Sequence, residues 1–212
     1  IALKNQISDG LIPEAARSFG TNLEAIGISL ALSLSLAYST AVPFMRPIVA
    51  LLSKARFFSL VGFTFAFTLL TGGGHALKVS LLVFAISANF VTSMAAVIAT
   101  IPRSEYEYAR SLGKSEIKVV WEVIVLGRAH EAFEVLRQNA AIGWMMLTMV
   151  EGLVRSEGGI GTVLLNENKH FQLADVFAIQ VVVLTIGIVQ DFAIGMVKNM
   201  FCPYAKITTE KK

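Results

Sequence analysis

Long apolar runs separated by short polar ones make up most of the chain. The apolar runs cover residues 22–43, 57–71, 76–100, 132–151 and 174–197. A helix needs about 20 apolar residues to cross a hydrocarbon core about 30 Å thick. The run at 57–71 is shorter, so it spans only with tilt or local thinning of the bilayer, or it enters and breaks. The pattern predicts an all-α, polytopic fold with about five transmembrane helices in a single domain over 1–212.

Composition supports a membrane protein and excludes several other classes. Only 16% of residues are charged and 55% are hydrophobic, whereas soluble domains carry about 25% charged residues. The net charge of +3 is spread over the loops, so no nucleic-acid surface is expected. Cys202 is the single cysteine, which excludes an internal disulfide and a cysteine-based metal site. His75, His130 and His170 are too far apart for a helical zinc site.

The positions of lysine and arginine predict the orientation of the spans. Twelve of the eighteen basic residues fall in the regions 44–56, 101–131 and the tail after 197. Five spans place these three regions on one side, which the positive-inside rule makes cytoplasmic. The stretch IALKNQISDG is too polar for a signal peptide. We expect it to face outward, which leaves room for a further span before Ile1.

Small hydroxyl side chains recur in the first apolar run. Ser29 and Ser33, and then Ser35 and Ser39, lie four residues apart. Small residues at this spacing allow two helix backbones to approach closely inside a bilayer. We interpret the serines as helix-packing positions; the alternative is that they line a polar pathway.

The polar segment RSEYEYARSLGKSEIK, within the loop 103–122, interrupts this apolar pattern. Ser104 and Glu107 have the spacing of a capping box, and Gly113 suits the left-handed end of a short helix. A second helix is predicted from about Ser115, with an apolar face formed by Ile117, Val120, Trp121 and Ile124. Residues 101–131 hold five basic and five acidic side chains. The loop is therefore either a solvated connector or a protein–protein contact, in which balanced charges set the register.

Glu107 and Ala109, followed by Gly113, resemble the EAA loop of permease subunits of bacterial ATP-binding-cassette (ABC) importers. The wider stretch EYARSLGKSEIKVVWEVIVL is similar to the subfamily that imports nitrate, sulfonates, taurine and related molecules. Leu136-Arg137, Glu151 and SEGGIGTVLLN at 156–166 also match that subfamily. Tyr108 replaces a small residue of the motif, and Leu126 and His130 stand where the subfamily usually has prolines.

The resemblance implies a set of partners and a mechanical role for the loop. Such permeases pair in the bacterial inner membrane, and we expect a homodimer here, with two cytoplasmic ATPase subunits and an extracytoplasmic solute-binding protein. The ATPases bind ATP and magnesium, so this chain needs no cofactor and is not itself an enzyme. The loop and the C-terminus are expected in the cytoplasm. The implied ATPase-coupling residues are Glu107, Tyr108, Ala109, Leu112 and Gly113.

Residues for the translocation path are harder to assign from sequence. The candidates are polar or large side chains within the apolar runs: Asn89, Trp144, Met145, Thr148 and Glu151. Each has a structural alternative: Asn89 as a bridge between helices, the methionines as core packing, and Glu151 as a capping acid or a partner of Arg155. TGGGH at 71–75 lacks the GK[ST] ending of a phosphate-binding loop, so we expect a turn there. The alternative function is a self-sufficient secondary transporter or channel.

Overall fold

A computed structural model describes residues 10–40 and 43–203, and within these ranges every regular element is a helix. The N-terminal residues 1–9, the pair 41–42 and the tail 204–212 lie outside the described residues. The expectations for IALKNQIS and for Lys206, Lys211 and Lys212 fall there. The nine α-helices of the described ranges are α1 Leu11–Ser39, α2 Arg46–Ser53, α3 Leu60–Thr71, α4 Gly74–Ala99, α5 Arg103–Ser111, α6 Glu116–Val119, α7 Ala129–Leu153, α8 Ile160–Lys169 and α9 Leu173–Phe201.

Three of these helices are long and apolar enough to cross a membrane by themselves: α1, α4 and α9. The stretches Arg46–Phe57 and Leu60–Thr71 reach that threshold only when they are taken together as one broken span. This agrees with the short run predicted at 57–71. Helix α7 has 25 residues but carries acidic and basic side chains, which lower its hydropathy. The described part of the chain is therefore an all-α, multi-pass membrane protein, as predicted.

Helix α1 begins at Leu11, well before the apolar run that starts at residue 22. The added turns are polar in sequence, but several of their side chains point inward. Ser18 and Asn22 are fully buried, and Ala15 is nearly so. Hydropathy misses these turns because their buried positions hold small and hydrogen-bonded residues rather than large apolar ones.

The chain divides into two compact units. The first comprises Ile1–Ser29, Phe57–Ile86 and Ala140–Asp191; the second comprises Leu30–Arg56, Ser87–Asn139 and Phe192–Lys212. Each long helix contributes one part to each unit. The single domain that we predict over 1–212 stays a prediction.

The predicted serine contacts are confirmed for the first pair and not for the second. Within the first unit, the Ser29 hydroxyl donates to the carbonyl of Val83 at 3.4 Å. Within the second unit, Ser33 donates to the carbonyl of Ser87 at the same distance. Both serines are fully buried, so α1 and α4 approach closely there. Ser35 and Ser39 instead donate to carbonyls of their own helix.

The glycine-rich segment between α3 and α4 forms the predicted turn. Gly72, Gly73 and Gly74 all have positive φ, which confirms the turn between α3 and α4.

In the second unit, Phe90, Met94 and Ile98 of α4 pack with the buried residues Ala37, Ile101, Ile124, Ala132 and Val135. The polar loop after α4 packs against this core through Tyr106, Val120 and Val123.

Candidate functional site

The loop after α4 begins with helix α5, whose start differs from the prediction. Pro102 is the N-cap residue, and no side chain caps the helix. The capping box predicted for Ser104 and Glu107 is therefore wrong. The extended backbone of Pro102 (φ −64°, ψ 144°) places the N-cap two residues before Ser104, so that Ser104 and Glu107 both lie within the helix. The predicted end is confirmed: Gly113 has φ 73°, and its N–H donates to the carbonyl of Arg110 at 2.9 Å.

Helix α5 has one face on the second unit and one face turned outward. Ala109 is buried, and Tyr106 is half buried against the hydrophobic core. Burial raises the pKa of the Tyr106 phenol. Tyr108 and Leu112, by contrast, are 69% and 55% exposed. The helix is therefore anchored through Ala109 and Tyr106 and presents Tyr108 and Leu112.

Ion pairs hold the loop in a defined shape. Arg128 donates to Glu105 at 2.8 Å, which ties the start of α5 to the residue just before α7. Arg110 donates two hydrogen bonds to Glu116, at 2.8 and 2.9 Å, across the glycine turn. This bidentate contact lowers the pKa of the Glu116 carboxyl, so the pair stays charged at neutral pH. Lys114 and Glu122 form a further pair.

The second helix of the loop starts where predicted and then changes its geometry. Ser115 is the N-cap of α6, and residues Val120–Leu126 form a π-helical stretch. The predicted common face is confirmed for Val120 and Ile124, which pack in the core, and wrong for Ile117 and Trp121. Val119 and Ile124 are buried, whereas Ile117 and Trp121 are 84% and 57% exposed. The π-helical stretch and a turn at Gly127 thus lead into α7 without the prolines expected there.

Four large side chains of this loop are each more than half exposed, and we call this set the loop apolar face: Tyr108, Leu112, Ile117 and Trp121. Their charged neighbours include the exposed Glu107 and Lys118. Large apolar groups with a charged rim are typical of a protein–protein interface.

A second cluster of polar groups is buried in the first unit around Glu151. This carboxylate is 1% exposed. Ser18 of α1 donates to its Oε1 at 2.7 Å, and the N–H of Gly161 donates to its Oε2 at 2.8 Å. Ser18 in turn accepts the N–H of Ile160 at 2.8 Å. Glu151 therefore caps the start of α8, as one alternative expected.

The other alternative, a pair between Glu151 and Arg155, is not found among the described residues. Arg155 donates to the carbonyl of Gly152 at 3.3 Å instead. The physical reason is that Glu151 points into the unit, where two donors already satisfy it, while Arg155 lies in an exposed turn.

Three charged side chains form hydrogen bonds with the backbone of the loop between α7 and α8. Glu14 accepts the N–H of Gly159 at 2.6 Å, and Arg17 donates to the carbonyl of Glu157 at 2.9 Å. Lys78 is 2% exposed and donates to the carbonyl of Gly158 at 2.6 Å. These contacts satisfy the backbone of a loop that would otherwise be buried without partners.

The glycines of that loop allow the close approach. Gly158 and Gly159 have positive φ, and a Cβ on Gly159 would overlap the Glu151 carboxylate. A Cβ on Gly161 would overlap the carbonyl of Thr148. The SEGGIG motif is thus the sequence signal for this cluster. The sequence pattern did not indicate its partners Glu14, Ser18 and Lys78, although a single lysine near the start of an apolar helix was a usable clue.

The remaining translocation-path candidates do not all belong to one unit. Asn89 is in the second unit, whereas Trp144, Met145 and Thr148 are in the first. Trp144 is buried and donates its Nε1–H to Gln190 at 2.6 Å. Met145 is 62% exposed, so its interpretation as core packing is wrong. Thr148 donates to the carbonyl of Met145, which leaves its hydroxyl occupied within the helix.

Comparison with known proteins places this fold. No protein-family model matches the chain. The taurine transport system permease protein TauC of Escherichia coli (strain K12) is 26% identical over 133 residues, which are 63% of this chain and 48% of that protein. The chain thus spans about half the length of the curated relative it matches.

Two solved structures share the fold over nearly the whole chain. An amino acid ABC transporter has a TM-score of 0.69 at 14% identity, covering 93% of this chain and 95% of its own. The methionine ABC transporter MetNI, in an inward-facing conformation, has a TM-score of 0.63 at 16% identity, with 92% and 95% covered. In fold and in sequence, the chain is a multi-pass membrane protein that resembles the permease subunits of ABC importers.

Proposed function

We propose that this chain is the transmembrane permease subunit of an ABC importer and forms part of the path for a small solute. The observation that carries the proposal is the loop apolar face, displayed on a rigid support. Tyr108, Leu112, Ile117 and Trp121 are all more than half exposed. These side chains are not buried in the core of the second unit. A protein partner that docks on the loop would bury them.

The partner of this face is an ATP-binding subunit in the cytoplasm. Helix α5 cannot easily change its shape, because Ala109 is buried, Arg128 holds Glu105, and Gly113 ends the helix. A rigid helix transmits movement from a partner to the membrane helices, which is a two-state rearrangement. Glu107 lies on the exposed rim of this helix and supplies a polar anchor. ATP and magnesium are bound by that partner, and this chain is non-catalytic.

The buried Ala109 is proposed to act indirectly. Its small side chain lets α5 lie close to the second unit, so it positions Tyr108 and Leu112 rather than contacting the ATPase.

The assembly contains two permease chains in the bacterial inner membrane, two ATPase subunits and an extracytoplasmic solute-binding protein. Only 17% of the apolar 18-residue stretch of α9 that could span a membrane is buried within the chain. This leaves most of that helix for lipid and for a second permease copy. The loop and the C-terminus face the cytoplasm, as the basic residues favour.

Taurine, another sulfonate, nitrate or a similar small molecule is the proposed solute, by similarity to the taurine permease. Met145 and Thr148 are the path candidates that keep exposed or half-exposed side chains in the first unit. The side chains of Trp144 and Glu151 already form hydrogen bonds with other protein groups. Their proposed role is therefore to support the structure around the path and not to contact the solute.

Reconstitution with the cognate ATPase tests the proposal. We expect the wild-type chain to co-purify with the ATPase, and Leu112→Glu to reduce this association by tenfold or more. The reason is that a charge in the centre of an interface leaves an ion buried without a partner, at a cost of about 2 kcal/mol or more. The matched control is Ser104→Glu, which adds the same charge at an exposed position of the same helix. It should leave the association unchanged.

Uptake measurements separate the alternatives. If proteoliposomes that contain only this chain accumulate solute along an ion gradient without ATPase, the chain is a secondary transporter or channel, and the proposal is wrong. Equal association of Leu112→Glu and wild type would also contradict the assigned interface.

A further inference from the structure

A cavity of about 810 Å³ lies in the second unit beneath helix α5. It is bounded by the end of α1 at Thr40, by α2, by the end of α4 at Ala99, and by α5. Its volume falls in the range of specific small-molecule sites. The loop apolar face is not part of its lining, so the cavity is a separate feature.

Three arginines line the cavity: Arg46, Arg103 and Arg110. Arg46 donates its Nε–H to the carbonyl of Thr40 at 3.1 Å, which fixes the guanidinium and leaves its two terminal nitrogens without partners in the described part of the chain. The Arg103 side chain likewise has no polar partner within residues 10–40 and 43–203. Arg110 is already neutralised by Glu116. Glu107 is the one carboxylate among the lining residues, so the lining carries an excess of positive charge.

Apolar side chains also line the cavity, among them Val49, Ile98 and Ile101. The half-buried Tyr106 is a further lining residue, and its hydroxyl is a donor suited to a phosphate oxygen. The cavity therefore offers both cationic donors and hydrocarbon contact.

The cavity also lies at the ends of two membrane-spanning helices. Thr40 directly follows α1, and Ala99 is the last residue of α4; both helices are long and apolar enough to cross a membrane. The ends of spans lie at the depth of the lipid headgroups. Basic pockets between spans at this depth suit acidic lipid headgroups.

We propose that this cavity binds the headgroup of an anionic phospholipid, with the phosphate at Arg46 and Arg103 and the glycerol and upper acyl carbons against Val49 and Ile98. A soluble phosphate would use only the cationic side chains, whereas the apolar part of the lining and the position at the span ends favour an amphiphile. Since Tyr106, Glu107 and Arg110 belong to α5, the bound lipid would brace that helix from beneath. The proposal goes beyond transport and does not depend on the ATPase contact.

Lipid titration of the purified full chain in detergent tests the proposal. Dioleoylphosphatidylglycerol and dioleoylphosphatidylcholine are added separately, and the bound lipid is counted by native mass spectrometry. We expect wild type to prefer the anionic lipid. The variant with both Arg46→Gln and Arg103→Gln should bind it on the order of thirtyfold more weakly, because two charges near the headgroup are removed. The control is Lys54→Gln, which removes a cation directly after α2 that does not line the cavity. It should change the affinity by less than about twofold.

Three outcomes would overturn the proposal: equal affinity for the two lipids, unchanged binding by the double variant, or an equal loss in Lys54→Gln. Displacement of the lipid by glycerol 3-phosphate at equal affinity would assign the cavity to a soluble phosphate instead, which also overturns it. If the double variant does not fold, Arg103→Gln alone decides, since this exposed side chain makes no polar contact within the described residues. It should fold like wild type and bind about fivefold more weakly.

Discussion

Ser18 donates a hydrogen bond of 2.7 Å to Glu151 across 133 positions of sequence. Both side chains are almost fully buried. Glu151 also accepts the N–H of Gly161, and Ser18 accepts the N–H of Ile160. The two side chains therefore cap the start of α8 and join it to α1 and α7. The polar cluster is a structural lock of the first unit.

Removal of the Glu151 carboxylate should weaken this lock. In Glu151→Ala the Ser18 hydroxyl and the Gly161 N–H both lose a buried acceptor, and each unpaired group costs about 1–3 kcal/mol. We expect a loss of about 3 kcal/mol in the free energy of unfolding, seen as a lower thermal midpoint of the detergent-solubilised protein. The control is Glu24→Ala, which removes a carboxylate from the exposed pair with His75. It should cost at most about 1 kcal/mol. Equal losses in the two variants would contradict the lock.

The glycines at the same loop should tolerate no side chain. In Gly161→Ala the added Cβ overlaps the carbonyl of Thr148, and backbone cannot move aside as a flexible side chain can. We expect a loss of about 2–3 kcal/mol of stability or failure to accumulate in the membrane. Gly20→Ala is the matched control, since Gly20 lies in α1 with open space around its Cα. It should be neutral or stabilise the helix by up to about 1 kcal/mol. The thermal midpoints of the two variants would decide.

The left-handed backbone of Gly113 should matter for coupling. Its φ is 73°, and its surroundings are open, so a substitution is limited by backbone strain alone. Gly113→Val would cost about 1–2 kcal/mol at this conformation and distort the end of α5. We expect a normal amount of protein in the membrane but a loss of ATP-driven uptake relative to ATP hydrolysis. Gly113→Asn should retain uptake, because asparagine adopts positive φ more readily. Normal uptake by the valine variant would count against the coupling role.

The small side chain of Ala109 should set the position of α5. It is 5% exposed, so Ala109→Leu must lift the helix or displace its neighbours, at a cost of about 1–3 kcal/mol. We expect reduced association with the ATPase together with a modest fall in thermal midpoint. Ala109→Ser, which is nearly isosteric, should leave the association intact. If Ala109→Leu bound the ATPase as wild type does, the proposed positioning role would be refuted.

The apolar periodicity was enough to predict the fold class, the membrane location and the position of the polar loop. The reason is that a bilayer imposes length and hydropathy on each span, and these are properties of a continuous stretch of residues. Gly113 and the glycine turn at 72–74 were also predictable, because positive φ is a local demand that glycine meets. The resemblance of residues 103–122 to an EAA loop needed no tertiary information.

Sequence alone could not reveal which polar side chains meet. The early start of α1 and the burial of Lys78 depend on partners more than fifty positions away. The capping of α8 by Glu151 depends on a backbone N–H ten positions further along the chain. Ile117 and Trp121, predicted on one face with Ile124, are exposed, whereas Val119 and Ile124 are buried. The π-helical stretch at Val120–Leu126 places the buried Val119 and Ile124 five positions apart, a spacing that the apolar pattern did not predict. Hydropathy along the chain thus determined the class of the protein, an all-α, multi-pass membrane protein. Only tertiary structure decided which polar groups are satisfied inside it, because a hydrogen bond depends on the position of both its atoms.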